Sequence, residues 1–203
     1  AVRSGAGHLV LTDRRQDENK IPVPMILATS AVHSWLTAAG LRTFCSLNVR
    51  SAECIDPHYC AVLIGCGATV VNAYLAEDSL ADRIERGLLE GSLTENVARY
   101  REAIDQGLLK IMAKMGISTL QSYKGSQIFE GRGLADDVIK RCFVGTASRL
   151  QGVGFEILEE EARRRHALGF PERADDRLQD LPNPGYFQWR SAGERHAWDP
   201  VSI

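Results

Sequence analysis

The chain contains 203 residues, of which 44% are hydrophobic and 25% are charged, and its formal net charge is −2. This length fits one domain or at most two, and the composition is typical of an ordinary globular protein. A chain so close to neutral has no broad field to attract nucleic acid or a membrane surface, and no apolar run reaches the roughly 18 residues of a membrane span. We therefore expect neither nucleic acid nor a membrane among its partners.

Strand and helix patterns alternate over the first half of the chain. Short apolar runs predict strands, and proline or glycine marks the ends of the helices. In chain order the predicted elements are a strand at 8–11, a helix at 25–39, a strand at 44–49, a helix opened by Asp56-Pro57 that runs to residue 64, a strand at 69–74 and a helix at about 79–86. This alternation favours a parallel sheet whose strands are joined by right-handed helical crossovers.

The longest predicted helix covers residues 94–115, with Ser92 or Thr94 as its cap. Its apolar residues recur at spacings of three and four and so share one stripe. The stripe consists of Val97, Tyr100, Ile104, Leu108, Ile111 and Met115. We expect it to lie in the core, with Ile104 and Ile111 buried. Gly116 ends the helix, and residues 117–119 predict a very short strand.

The last third of the chain is predicted to be helical and then irregular. Helices are expected at about 120–130, 135–142 and 156–168. In the last of these, three glutamates precede three arginines by four residues, which favours surface ion pairs over an arginine patch for a partner. They are Glu159, Glu160 and Glu161 with Arg163, Arg164 and Arg165. Pro171 ends the helix, a loop follows at 172–184, and residues 185–189 could form a hairpin with 196–198.

Five cysteines, an odd number without a compact framework, predict a reducing cytoplasm rather than a disulfide scaffold. Cys54, Cys60 and Cys66 have the spacing C-x5-C-x5-C, which resembles that of iron–sulfur ligands. However, Cys60 and Cys66 lie in an apolar predicted helix, where six residues turn the thiols about 240° apart. We therefore expect buried, structural cysteines rather than metal ligands.

Polar residues follow three of the predicted strands. They are Asp13 with Arg14, Asn72 with Tyr74, and Ser118 with Ser122 and Tyr123. Parallel (β/α) folds carry their active groups at such strand ends, so a small-molecule pocket is one interpretation. The other, which we favour, is that these groups cap helices and hold loops.

Other candidate groups carry weaker signals. No histidine has the spacing of a zinc site, and His33, near Trp35, is expected to be a hydrogen-bonded packing residue rather than a base. The glycine pairs at 65–67, 131–133 and 152–154 do not show the order of strand, glycines and helix that forms a phosphate cradle. Three lysines could approach an anion, although exposed helical lysines are common: Lys110, Lys114 and Lys124. We expect no catalytic, cofactor or metal site in this chain.

Six strings of the sequence, in the same order, resemble the large (alpha) subunit of the glutamate synthase family. They are LVLTDR at 9–14, IPVPMILATSAVHSWL at 21–36, AVLIGCGATVVNAYLAEDSL at 61–80, LLKIMAKMGISTLQSYKGSQIFEGRGL at 108–134, FVGTASRLQGVGFEILEEEA at 143–162 and GYFQWRSAGERHAWDP at 185–200. The chain departs from the usual family pattern at Cys66, where the family has Tyr, and at Ala73, where it has Pro. It also has fewer histidines around 33–35 and 58–60.

The resemblance implies the C-terminal part of the family's central domain, just before the FMN-binding domain. Because that domain is related to the family's flavin barrel, it also implies an α/β fold that forms part of a TIM/aldolase-type (β/α) barrel over residues 1–170. Residues 171–203 would then be a loop and short hairpin leading toward the FMN domain. A chain that begins at Ala1 rather than Met agrees with an excised piece.

The family converts L-glutamine, 2-oxoglutarate and a reductant into two molecules of L-glutamate, using FMN and an iron–sulfur cluster that this piece does not hold. The implied role is a structural linker that helps enclose the ammonia path. The implied partners are the glutaminase and FMN domains and an electron-donor subunit or ferredoxin. If the piece is part of a barrel, its uncovered edges also predict self-association through an exposed strand edge or an apolar face, with residues 1–2 and 8–11 as the favoured edge. Two other interpretations stay open: a stand-alone barrel enzyme that binds flavin or a phosphorylated small molecule, and a regulatory module, for which no sequence feature speaks.

Overall fold

The computed structural model describes residues 1–171, 189–191, 193 and 195–200. By their internal contacts two compact units are distinguished, Ala1–Arg163 and Arg164–Ile203. In the second unit the ring of Phe170 stacks on His166 at a centroid distance of 4.6 Å. The architecture described next is that of the first unit, together with the helix that continues past Arg163 to Gly169. The predicted domain boundary at residue 170 stays a prediction.

A three-stranded parallel sheet forms the first half of this unit. Its elements, in chain order, are β1 (His8–Thr12), α1 (Met25–Ala38), β2 (Ser46–Arg50), α2 (Pro57–Gly65) and β3 (Val70–Asn72). The strand order is β1-β2-β3, and Val10, Asn48 and Val70 lie side by side across the sheet. The predicted parallel α/β arrangement is confirmed.

The start of α2 illustrates how the sequence sets these elements. The Asp56 side chain accepts a hydrogen bond from the Tyr59 N–H at 2.9 Å, and Pro57 occupies the first turn. An N-cap aspartate satisfies a donor that the helix cannot pair, and proline has no N–H to lose there. The predicted helix start is therefore confirmed.

Three helices follow the first sheet: α3 (Tyr74–Glu85), α4 (Leu93–Lys114) and α5 (Leu120–Tyr123). Ser92 caps α4 in a capping box with Glu95, as the sequence predicts. Helix α4 packs closely on the start of α2 at Gly107, where a Cβ atom would lie only 2.5 Å from Pro57. This contact leaves no room for a side chain at that position.

The burial expected along α4 is only partly correct. Ile104 and Ile111 are half-buried, whereas Met112 and Asn96 are the buried residues of this helix. The two isoleucines pack against core clusters without being enclosed by them. The periodic stripe predicted the correct face of the helix but not how deeply each side chain is covered.

A second parallel sheet, which the sequence did not predict, follows α5. It consists of β4 (Glu130–Leu134) and β5 (Ala147–Val153), with α6 (Asp136–Cys142) between them and α7 (Phe155–Gly169) after them. A Cβ atom at Gly152 would lie 2.3 Å from the carbonyl oxygen of Gly133, so the two backbones meet where only glycine fits. These glycines interrupt the apolar pattern of a strand, which explains the failed prediction. The expectation that no strand accompanies the glycines at 131–133 and 152–154 was also wrong, since Gly133 lies in β4 and Gly152 in β5.

Other boundaries differ from the predictions. Residues 117–119 are irregular, and the helix expected over 120–130 ends at Tyr123, because Gly125 takes a left-handed turn at φ +68°. Helix α3 begins at Tyr74 rather than near residue 79, which shortens β3. The loop at 172–184 and most of the predicted strand at 185–189 lie outside the described residues, and residues 196–198 are not a strand.

The core of the unit consists of two buried clusters on either side of α2. One contains Met25, Val49, Cys54, Cys60, Leu63 and Ala68, and the other contains Ala61, Met112 and Tyr123. The helices therefore cover the face of the first sheet that carries Val49. Among the described helices none is both long and apolar enough to cross a membrane.

Candidate functional site

The C-terminal ends of β1, β2 and β3 are joined by one buried carboxylate. Asp13, 7% exposed, accepts hydrogen bonds from the Ser51 hydroxyl at 2.5 Å and the Ala52 N–H at 2.9 Å on one oxygen. Its other oxygen accepts from the Tyr74 hydroxyl at 3.0 Å. Because Asp13 follows β1, Ser51 follows β2 and Tyr74 follows β3, a single side chain connects the three strand ends.

Two arginine side chains, those of Arg14 and Arg50, lie over the ring of Tyr74. The guanidinium carbons of Arg14 and Arg50 lie 5.8 Å and 5.5 Å from the ring centroid, within the range of a cation–π contact. Burial, and then the hydrogen bond to Asp13, raise the pKa of Tyr74 to about 12. The phenol therefore stays protonated at neutral pH and serves as a hydrogen-bond donor.

A second carboxylate continues the network beyond β2. Glu53 accepts from the Met25 N–H, at the first residue of α1, at 2.8 Å and from the Tyr59 hydroxyl. Burial, followed by the Glu53 contact, raises the pKa of Tyr59. Glu53 thus connects the loop after β2 to the starts of α1 and α2.

Both oxygens of Asp13 accept from protein donors, whereas Glu53 accepts both of its hydrogen bonds on one oxygen. With both oxygens engaged, Asp13 is poorly placed to accept a proton from a substrate, because its lone pairs are directed at fixed partners. Asp13 and Tyr74 were predicted to lie at strand ends, and their contacts agree with loop-holding groups. Asn72 joins them only through its backbone carbonyl, which accepts from the Ser51 N–H at 3.2 Å.

The structure does not place Ser118, Ser122 and Tyr123 at a strand end. The Ser122 hydroxyl pairs with Thr119 at 2.9 Å, and the buried Tyr123 donates to the Ala61 carbonyl at 3.0 Å. This part of the prediction was wrong, because it rested on a strand at 117–119 that is absent. Ser51 and Glu53 were missed, although both lie in the loop after the strand predicted at 44–49.

The three cysteines with cluster-like spacing are buried, free thiols, as expected from the apolar helix. Burial is the main cause that raises the pKa of Cys54 to about 12 and those of Cys60 and Cys66 to about 11. Metal ligation requires the thiolate, which burial disfavours. The described residues contain no group of three or more metal-ligating side chains.

His33 is a hydrogen-bonded packing residue, as predicted. Its Nδ1 accepts from the Arg42 Nε–H at 2.9 Å, and its ring lies against Gly67 and Gly125. Burial, and then the Arg42 charge, lower the pKa of His33 below its ordinary value. The imidazole is therefore neutral at physiological pH.

Comparison with known proteins identifies relatives along the whole chain. Residues 1–135 match the family model described as glutamate synthase central domain. The large chain of the NADPH glutamate synthase of Azospirillum brasilense is 46% identical over 98% of this chain, and that of Bacillus subtilis is 44% identical over all of it. The ferredoxin-dependent glutamate synthase 1 of Arabidopsis thaliana is 37% identical over 98% of the chain.

This chain spans 13% of the length of each of these three relatives. The similarity is continuous from one end of the chain to the other and is shared by relatives named for different electron donors. The match to the family model covers about two thirds of the residues. The chain therefore belongs to the glutamate synthase central domain family.

Proposed function

We propose that this chain is the central-domain segment of a glutamate synthase large chain and acts as a structural linker between a glutaminase domain and an FMN domain. The observation that carries the proposal is the continuous match to the large chains over 98–100% of this chain. The hydrogen-bond network supports the same role, because Asp13 and Glu53 use their oxygens to hold strand ends and helix starts together.

The proposed parent reaction converts L-glutamine, 2-oxoglutarate and a reductant into two molecules of L-glutamate. Ammonia released at the glutaminase site would be protonated and lost if it met bulk water. A rigid α/β segment that excludes water can form part of the wall of its path. FMN, an iron–sulfur cluster and an electron-donor subunit or ferredoxin belong to the parent in this proposal, and the described residues suggest no place for them here.

A partial (β/α) barrel is the finer fold that we propose. Helices α1 and α2 cover one face of the first sheet, where Leu47 and Val49 are 0% and 1% exposed. On the opposite face Val10 and Val70 are 60% and 52% exposed. Doubly wound sheets have helices on both faces, whereas barrel strands have helices on one face only. The one-sided cover therefore supports a barrel segment whose inner face is completed elsewhere in the parent.

The five free, buried cysteines support a reducing compartment, which we propose is the cytoplasm. A stand-alone flavin enzyme is the rival function. An absorbance spectrum of the purified chain separates the two, because bound flavin absorbs near 450 nm and the linker would not.

The decisive experiment uses the intact protein that contains this segment. Glutamate formed and free ammonia released are both measured per glutamine consumed. Asp13→Asn, which loosens the three strand ends, is expected to increase free ammonia while glutamine hydrolysis persists. The control is Asp78→Asn, at an exposed carboxylate on α3. An intact protein that consumes glutamine without forming glutamate would overturn the proposal. An Asp13→Asn protein with lower stability but unchanged coupling would remove this segment from the ammonia path.

A further inference from the structure

A cavity lies at the opposite end of the first sheet from the Asp13 network. Its volume is about 500 Å³, and it is lined by residues that immediately precede or begin the strands, among them Gly7, Ser46 and Thr69. Arg42, His33 and Lys124 complete its wall. No carboxylate is among its lining residues, which distinguishes it from the acidic network at the other end.

Arg42 is held rigidly in this wall by four neutral acceptors. Its Nε donates to His33 Nδ1 at 2.9 Å and its Nη1 to the Cys45 carbonyl at 2.7 Å. Its Nη2 donates to the Gly67 carbonyl at 2.7 Å and the Thr69 hydroxyl at 3.3 Å. A guanidinium has five N–H donors, so these contacts fix its orientation and leave one donor for a ligand. None of them supplies a negative charge.

His33 cannot supply that charge either, since its Nδ1 is an acceptor and the ring is neutral. The ring is fitted into the cavity wall by two glycines. A Cβ atom at Gly67 would lie 2.2 Å from His33 Nδ1, and one at Gly125 would lie 3.1 Å from its Cε1. Both glycines have positive φ, at +109° and +68°, which other residues rarely adopt. The two glycines therefore fix the position of the His33 ring, and the ring in turn holds Arg42 through Nδ1.

Lys124 adds a second positive charge to the same cavity. It is half-buried and directly follows α5. Across the described part of the chain no carboxylate lies within 4.0 Å of the charged nitrogens of Arg42 or Lys124. Two partly desolvated cations without a counterion favour an anion, and the guanidinium fork suits the paired oxygens of a carboxylate or phosphate.

We propose that this cavity binds a small, doubly charged oxyanion, either a dicarboxylate or a phosphate. One oxygen accepts from the remaining Arg42 N–H, and the Lys124 ammonium neutralises the second charge. The competing explanation is that Arg42 only holds the Cys45 and Gly67 carbonyls in place. A purely structural role of Arg42 does not require Lys124, whereas anion binding does. Replacing Lys124 therefore distinguishes the two explanations.

Isothermal titration of the full 203-residue chain with inorganic phosphate and with succinate tests the proposal. Lys124→Gln is expected to raise the dissociation constant about tenfold, the effect of one charge-assisted contact at a half-exposed site. Lys110→Gln, at an exposed lysine on α4, is the matched control and should leave binding unchanged. The amide resonances of Gly67 and Gly125 should shift on titration of the wild-type chain.

Binding of phosphate alone would identify a phosphoryl ligand, and binding of succinate alone would identify a dicarboxylate; either result supports the proposal. Failure of both anions to bind would overturn it. Binding that is unchanged in Lys124→Gln would mean an adventitious ion only, and would overturn it equally. Because the Lys124 ammonium donates no hydrogen bond within the described fold, its replacement tests the cavity without depending on the contacts that Arg42 makes.

Discussion

Removing the Asp13 carboxylate should destabilise the first unit more than any other single change at the strand ends. Asp13→Ala leaves two donors without an acceptor, the buried Ser51 hydroxyl and the half-buried Ala52 N–H. Ser51 is 0% exposed. Tyr74 is half-buried, so its hydroxyl can turn toward solvent and loses less.

The size of the effect follows from these three donors. An orphaned buried donor costs about 1–3 kcal/mol, so Asp13→Ala should lower the free energy of unfolding by about 3 kcal/mol. Asp13→Asn keeps one acceptor oxygen for Ser51 and Ala52 and should cost about 1 kcal/mol. Tyr74→Phe removes one bond that water can partly replace, and should cost about 1 kcal/mol or less.

Urea denaturation followed by circular dichroism measures these differences, with Asp78→Asn as the surface control. The order Asp13→Ala, then Asp13→Asn, then Asp78→Asn is the essential outcome. A loss below about 1 kcal/mol for Asp13→Ala would refute the reasoning, because it would mean that water or another group satisfies both donors. A double mutant of Asp13→Asn and Tyr74→Phe should be less destabilised than the sum of its single changes, since both remove the same bond.

Four further outcomes are expected. Because the pKa of His33 is lowered in the fold, the unfolded chain binds a proton more readily than the folded one. The stability of the fold should therefore be full above pH 6.5, the ordinary pKa of histidine, and fall as the pH drops below it. His33→Asn, which keeps an acceptor for Arg42, should flatten that fall in urea melts at several pH values. Met112→Ala should cost about 2–5 kcal/mol and the half-buried Ile111→Ala less, because a cavity costs most where the site is enclosed. The chain should associate with itself, and Val10→Lys should reduce that association in sedimentation velocity. The purified chain should show no absorption near 450 nm, where bound flavin absorbs.

The first sheet could be predicted because its signals are local. Asp56, Pro57 and Ser92 begin helices through contacts within one turn, and apolar runs between them leave few choices but strands. The second sheet could not be predicted in this way. Gly133 and Gly152 are in β4 and β5 because two backbones approach each other there, and that approach depends on a contact between distant residues, which periodicity does not report.

The same distinction between local signals and contacts between distant residues decides which parts of the candidate site could be predicted. Asp13 and Tyr74 were found because parallel strands bring their C-terminal ends to one edge, a rule that needs only the strand order. Arg42 was missed because its acceptors are a histidine ring and the carbonyls of Cys45 and Gly67. A backbone carbonyl has no signature in the sequence. Lys124 was noticed as a possible anion ligand, but its proximity to Arg42 depends on the turn at Gly125.

The exposed face of the first sheet gives the physical basis for self-association. Parallel strands are usually covered on both faces, yet Val10 on β1 and Val70 on β3 are 60% and 52% exposed and lie in one row with Asn48. Strand β1 is also an edge of its sheet, with backbone groups on its outer side free of any partner strand in the described fold. An apolar row beside an open edge is a surface that another chain can pair with. Val10→Lys places a charge on both features, whereas Val144→Lys, at an exposed valine between α6 and β5, leaves them intact. A wild-type chain that sediments as a monomer at every concentration would mean that this face is stable in water, and would remove the need for a covering segment of the parent.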